Sequence, residues 1–182
     1  MKSLRINILL LIFTVIAITS CSKDKSSNVI THSATEVVAK NFAESQQAWA
    51  AFKTTNSNTY TFILSGYSFT GNTSETKITV ANGAIIKRDY LYYHKDGVSK
   101  ITINEWHETT ANLNSHPDDN APFYTLDEVY TTAKSVWLKA DAVTNDVYFE
   151  AKNNGIISVA GYTPKDCMDD CFVGVHITGV SK

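Results

Sequence analysis

From residue 33 onward the chain switches between two hydrophobic rhythms. Ser33-Ala34-Thr35-Glu36 has the spacing of a capping box, in which a Ser oxygen and a Glu side chain satisfy the free amides at a helix start. Val38, Phe42, Trp49 and Phe52 then recur at multiples of the helical turn, with Lys40, Glu44 and Lys53 between them. The pattern predicts an amphipathic helix ending before the turn-rich stretch Thr54 to Asn58. Beyond it the period drops to two. Tyr60, Phe62 and Leu64 alternate with Thr61, Ile63 and Ser65, and Ile78 and Val80 alternate with Lys77 and Thr79. Asn82-Gly83 is a strong short hairpin signal because both residues tolerate positive φ. Asp96-Gly97 repeats it, joining a strand over Ile85 to His94 with one over Val98 to His107. Four antiparallel strands are expected here.

A polar loop from about Thr109 to Phe123 follows, and then a second capping box, Thr125-Leu126-Asp127-Glu128. Leu126, Val129, Tyr130, Ala133, Val136, Trp137 and Ala140 fall on one helical stripe and predict a second amphipathic helix. Val147, Phe149 and Ala151 lead into Asn154-Gly155, a third hairpin signal, followed by Ile157 and Val159. Val173, Val175 and Ile177 form a last strand. The order helix, four strands, helix, three strands predicts an α+β fold. Two amphipathic helices are expected to pack on one face of a mainly antiparallel, meandering sheet of about seven strands, in a single domain over residues 33–182.

The first 20 residues follow a third pattern. Lys2 and Arg5 precede an almost unbroken apolar run from Ile6 to Ile18, and Thr19, Ser20 and Cys21 follow. Charged, apolar and small residues in that order are the layout of a secretory signal. As a helix the apolar run would span roughly 20 Å, short of the ~30 Å hydrocarbon core that a transmembrane helix must cross. Ile18-Thr19-Ser20-Cys21 resembles a lipobox, the motif after which lipoprotein signal peptidase cuts to leave an acylated cysteine. The expectation is a lipoprotein signal peptide over residues 1–20 and lipidation at Cys21. Lipoproteins of this type carry two or three fatty chains such as palmitate, enough for stable anchoring where a single chain gives only reversible attachment. Residues 21–32, polar and without periodicity, read as a flexible tether.

Charge narrows the partners. Removing residues 1–20 takes away two cations, leaving 14 Lys and Arg against 18 Asp and Glu, a formal net charge of −4. With no basic block to bind phosphates, nucleic acid is not an expected partner. Ser22 follows the lipidated cysteine where some inner-membrane lipoproteins carry Asp, so the outer membrane is the expected address. Whether the domain faces the periplasm or the surface is left open. Cys167 and Cys171 lie in an Asp-rich turn of an exported chain and can close a small disulfide loop. A redox role is disfavoured because the spacing is not Cys-x-x-Cys and Asp166, Asp169 and Asp170 oppose a thiolate.

The Trp49 helix, the Tyr60-Thr61-Phe62 strand, the Val80-Ala81-Asn82-Gly83 hairpin, the Thr125-Leu126-Asp127-Glu128-Val129 helix and the tail from Gly155 to Asp170 fall in one order. That order resembles a family of small bacterial lipoproteins and secreted proteins defined only by a domain of unknown function. The resemblance covers most of the chain after residue 20 and implies neither an activity nor catalytic residues.

Candidate chemistry is sparse. His32, His94, His107, His116 and His176 are scattered, without a His-x-His or His-x-x-x-His spacing to preorganise a metal. Glu105 and His107 share a strand face, but solvated side chains are the expected reading. Asp118-Asp119-Asn120 and the run Asp166 to Asp170 offer oxygen ligands without the spacing of an EF-hand, and read as acidic turns. No Ser or Thr stands in a nucleophile elbow, so no catalytic residue, metal site or cofactor is assigned. Tyr90, Tyr92, Tyr93 and Trp106 crowd two adjacent strands. They are divided between core packing and a binding surface, because Tyr90 and Tyr92 point to one face and Tyr93 to the other. The expected function is a membrane-anchored cell-envelope lipoprotein with a non-catalytic binding or interaction domain, its partner an envelope protein or glycan. The alternative is an envelope hydrolase whose site is assembled from scattered Asp, Glu and His residues.

Overall fold

The computed structural model describes residues 34–117 and 121–182. The signal segment, Cys21, the tether, His32, the Ser33 cap and Asp118-Asp119-Asn120 lie outside the described residues.

The described chain is α+β, with a seven-stranded antiparallel sheet and two α-helices. Helix α1 (Ala34–Thr55) leads into strands β1 (Tyr60–Tyr67), β2 (Asn72–Ala81), β3 (Ala84–Asp96) and β4 (Ser99–Thr109). Helix α2 (Leu126–Ser135) and a short 3-10 turn (Trp137–Lys139) precede β5 (Asn145–Glu150), β6 (Val159–Pro164) and β7 (Val173–Ser181). The spatial order is β4-β3-β2-β1-β7-β6-β5. Two meanders are thus joined edge to edge by the pairing of β1 with β7.

Alternation decides what is buried. Tyr60, Phe62 and Leu64 of β1 lie across from Val80, Ile78 and Thr76 of β2, and all six are buried. Phe42 and Trp49 of α1 and Leu126, Val129, Tyr130 and Ala133 of α2 belong to the same core cluster as these strand residues, together with Ala160, Val175 and Ile177. The helices also meet directly. Trp49 and Tyr130 stack at 6.1 Å between centroids, Ser45 Oγ lies 2.7 Å from the Tyr130 hydroxyl, and Trp49 Nε1 donates to Asp127 at 2.9 Å.

The turns follow their residues, with one shift. Asn82 and Gly83, at φ 51° and 82°, form the two-residue loop between β2 and β3, as Asn154 and Gly155, at 53° and 84°, form a loop closed by the Asn153–Ile156 bridge. In the β3–β4 hairpin Asp96 pairs with Ser99, so the loop residues are Gly97 and Val98, one position later than Asp96-Gly97 suggests. Only the first of them has positive φ, which glycine supplies there without a steric penalty.

The second helix is shorter than its stripe. It starts at a complete capping box, with Thr125 Oγ1 accepting from the Glu128 amide and the Glu128 carboxylate accepting from the Thr125 amide. It ends at Ser135, and the 3-10 turn packs Trp137 and Leu138 partly buried against the core while Val136 turns outward.

Candidate functional site

A cavity able to receive a ligand arises where the two meanders meet. Strands β1 and β7 pair only from Thr61 with Ser181 to Leu64 with Ile177, across a bulge at Ile63 and Leu64. Past that point β1 continues with β2 through Ser65, Gly66 and Tyr67. Strand β7 continues with β6 through Val173, Gly174, Val175 and His176. The two strands diverge and leave a wedge-shaped cavity of 380 Å³ between them. At its apex Ser65 Oγ lies 3.3 Å from Thr178 Oγ1.

The wall chemistry is neutral and mixed. Hydroxyls come from Ser65, Ser74, Thr76 and Tyr124, and rings from Tyr67, Phe172 and His176. Asp170 is the one carboxylate among the described lining residues, and none of them is Lys or Arg. Burial pushes the Tyr124 hydroxyl up to about 12, so it stays protonated and can donate as well as accept. Burial also lowers His176 below its usual value, only partly opposed by Glu150, which favours the neutral ring.

A row of rings leads out of this cleft. Tyr67 meets His176 edge-on at 5.9 Å, His176 lies 4.5 Å from Phe172, and Phe172 lies 6.2 Å from Tyr148. Tyr67 is 61% exposed and Tyr148 43%, so the row opens to solvent at both ends. Phe172 and His176 also border a second, 650 Å³ groove that extends along β5 past Val147 and Tyr148 to Val37 of α1.

Two covalent or buried devices hold the rim. Cys167 and Cys171 form a disulfide with their Cα atoms 6.2 Å apart, in the loop that delivers Asp170 and Phe172. Asp170 Oδ2 accepts from the Phe69 amide at 3.1 Å, tying that loop to the β1–β2 turn across the mouth. On the other side stands a buried ion pair, Arg88 with Glu108, both at 0% exposure. Arg88 donates through Nε and Nη2 to the two Glu108 oxygens at 3.0 and 2.9 Å. Its Nη1 donates to the Ala121 carbonyl at 3.0 Å, fixing the backbone that supplies Pro122 and Tyr124 to the cleft. Trp106 and Phe123 flank the guanidinium at 4.8 and 5.1 Å. Burial raises the Glu108 carboxyl, but hydrogen bonds from Arg88, His116 and the Asn114 and His116 amides outweigh it and hold it down at about 2.

The ring cluster singled out in β3 and β4 lies elsewhere. Tyr90 and Trp106 stack at 5.2 Å and are each 8% exposed. Tyr93 is 3% exposed, with its hydroxyl on Glu75 and Lys100 over its ring. Tyr92 is half-buried and accepts from Asn72 at 2.9 Å. Three of these four rings are therefore packed inside, and the Tyr67–Tyr148 row, with exposed rings at its two ends, lies apart from them. Its members sit on β1, β5, β7 and the disulfide loop, and only their outward alternation hinted at exposure.

His107 does meet two carboxylates, with Nδ1 2.8 Å from Asp89 and Nε2 3.4 Å from Glu105. The trio lies on the sheet surface with the His107 side chain 60% exposed. Among the described residues no group of three or more His, Cys, Asp or Glu is arranged to hold a metal ion, and no helix is long and apolar enough to cross a membrane.

No family model matches the chain, and no match is found among curated proteins or solved structures.

Proposed function

We propose that this protein is a lipid-anchored domain of the bacterial cell envelope, held through Cys21 at the outer membrane, that binds its ligand at the β1–β7 cleft without transforming it. The observation carrying the binding reading is the solvent-open row from Tyr67 to Tyr148 at the mouth of a polar cavity. Exposed rings beside hydroxyl-bearing residues suit a recognition site. The anchoring half rests on the Lys2-to-Cys21 pattern and on the resemblance to small lipoproteins. We further take both helices to cover the sheet face that carries Tyr60, Phe62 and Leu64, a reading supported by their shared core cluster.

Catalysis finds less support. The His107 trio would suit a hydrolase, yet it stands on an open surface where water would weaken each electrostatic contribution. Two experiments test the proposal. Cys21→Ser should abolish fatty-acid labelling and release the protein from the envelope, and unchanged labelling would contradict the anchor. A photo-crosslinking residue in place of Tyr67 should form adducts in the native envelope, whereas one in place of Lys100 should not. Equal adducts from both positions, or none from position 67, would overturn the cleft as the binding site.

A further inference from the structure

We propose that the cleft takes one ring of a neutral glycan and that the adjoining groove takes the next sugars along Phe172 and Tyr148. This rests on the binding reading above and names its ligand class.

The lining selects the chemistry. Ser65, Ser74, Thr76 and Tyr124 line the cleft, and each carries a hydroxyl, a group that both donates and accepts and so can match sugar hydroxyls. Ser65 is 9% exposed and Thr76 2%, so a bound hydroxyl would replace water in a largely desolvated place, where the site strongly rejects analogues that leave its polar groups unpaired. The Tyr124 hydroxyl has no hydrogen-bond partner among the described residues. The rings supply the other half of the match. A sugar ring is polar at its edge and C–H-rich on its face, and Tyr67 offers an open aromatic face whose negative quadrupole suits such C–H groups.

Charge excludes the neighbouring classes. Among the described lining residues none is a cation, His176 favours its neutral form, and the one carboxylate, Asp170, would repel a phosphate, sulfate or uronate. The formal charge of −4 after residue 20 acts in the same direction at long range. Geometry disfavours a peptide strand. Strand addition needs a partner edge at a steady ~4.8 Å, while β1 and β7 diverge and β1 offers only Ser65 to Tyr67 along the wedge. A volume of 380 Å³ is near the lower end of small-molecule pockets and suits a single ring, with the 650 Å³ groove continuing beyond it. Cleavage would require two carboxylates flanking the glycosidic bond, and the described lining residues supply one, already accepting the Phe69 amide. The disulfide and the Arg88 anchor hold the rim in place beforehand, which lowers the ordering cost of binding.

The test uses the full-length protein in a non-glycosidic detergent and isothermal titration with cellohexaose, maltohexaose and N-acetylchitohexaose. A heptapeptide of alternating Thr and Val serves as the rival ligand. At least one hexasaccharide should bind. Tyr67→Ala should weaken it about tenfold or more, and Tyr124→Phe, which removes one hydrogen-bonding oxygen, about 2- to 10-fold. Tyr148→Ala should weaken the hexasaccharide while leaving the corresponding monosaccharide unchanged. Both tyrosines chosen for truncation are exposed, so the fold should survive, as circular dichroism would verify. Binding of none of the three saccharides, binding of the peptide alone, or saccharide binding unaffected by Tyr67→Ala would overturn the inference. If saccharides fail while crosslinks at position 67 persist, the glycan is refuted and the cleft stands; if both fail, both readings fall.

Discussion

Replacing Glu108 by Gln should destabilise the protein far more than its small chemical change suggests. Glu108 Oε1 receives Arg88 Nη2 at 2.9 Å, the His116 amide at 3.0 Å, the His116 ring Nδ1 at 3.0 Å and Ser115 Oγ at 3.2 Å. Its Oε2 receives Arg88 Nε at 3.0 Å and the Asn114 amide at 2.8 Å. The Gln amide must put an NH₂ at one of these positions. The less costly choice is Oε2, where the NH₂ still faces two donors and both hydrogen bonds are lost. At roughly 1.5–3 kcal/mol net for each charged hydrogen bond, the loss reaches the ~3–5 kcal/mol typical of a broken buried ion pair. For a domain of about 150 residues that corresponds to roughly 6–20 °C in Tm. Urea unfolding followed by circular dichroism measures it, with Glu105→Gln on the exposed side of the same strand as a control expected within about 0.5 kcal/mol. The double variant Arg88→Met, Glu108→Gln should cost less than the sum of its singles, because the residues share one network. A Glu108→Gln loss below about 1 kcal/mol would refute the reading of this buried pair as the anchor of the backbone at Ala121. The same carboxyl sets an acid limit. Its folded pKa of about 2 is depressed, so its contribution is complete above an unfolded value of about 4.3 and is lost as pH falls from there toward 2. Glu108→Gln should flatten the stability profile across that window.

Other outcomes follow from single contacts. Tyr130→Phe removes the acceptor of the buried Ile157 amide, 3.1 Å away, and the partner of Ser45, and should cost about 1–3 kcal/mol in the same unfolding assay. Thr125→Ala breaks the capping box of α2 and should cost about 1 kcal/mol, with Thr125→Ser recovering most of it. Cys167→Ser opens the disulfide loop and should lower stability by about 2 kcal/mol on the loop-entropy scale. His176 should titrate below about 6.5 by proton NMR. Because the folded state holds its pKa down, its contribution is complete above that pH and lost as pH falls through the folded value.

What the sequence revealed depended on the range of the interaction. The helices, the first hairpin and the β1 and β2 core positions follow from local periodicity and from Asn82-Gly83, and the structure has them. The run from Leu126 to Ala140 was legible as a stripe but not as a break at Ser135, because a helix and a 3-10 turn can both deliver Trp137 to the core. Arg88 and Glu108 show how a buried ion pair escapes hydropathy reading. Both carry charge at positions that share the buried face with Tyr90 and Trp106, and only the β3–β4 register sets them opposite each other. The cleft was least legible. It depends on the pairing of β1 with β7, elements more than 100 residues apart, and on where that pairing stops. Alternation says that Tyr67 points away from Phe62, but not that His176, Phe172 and Tyr148 line up beside it.

Binding at the β1–β7 cleft can be located by chemical-shift mapping. Backbone amide spectra of the full-length protein in non-glycosidic detergent, titrated with whichever hexasaccharide binds most tightly, should shift at Ser65 to Tyr67, Ser74 to Thr76, Tyr124 and Asp170 to His176, with smaller changes near Tyr148. Shifts centred on the outer strands around Leu91 and His107, with the β1–β7 cleft unmoved, would contradict the account.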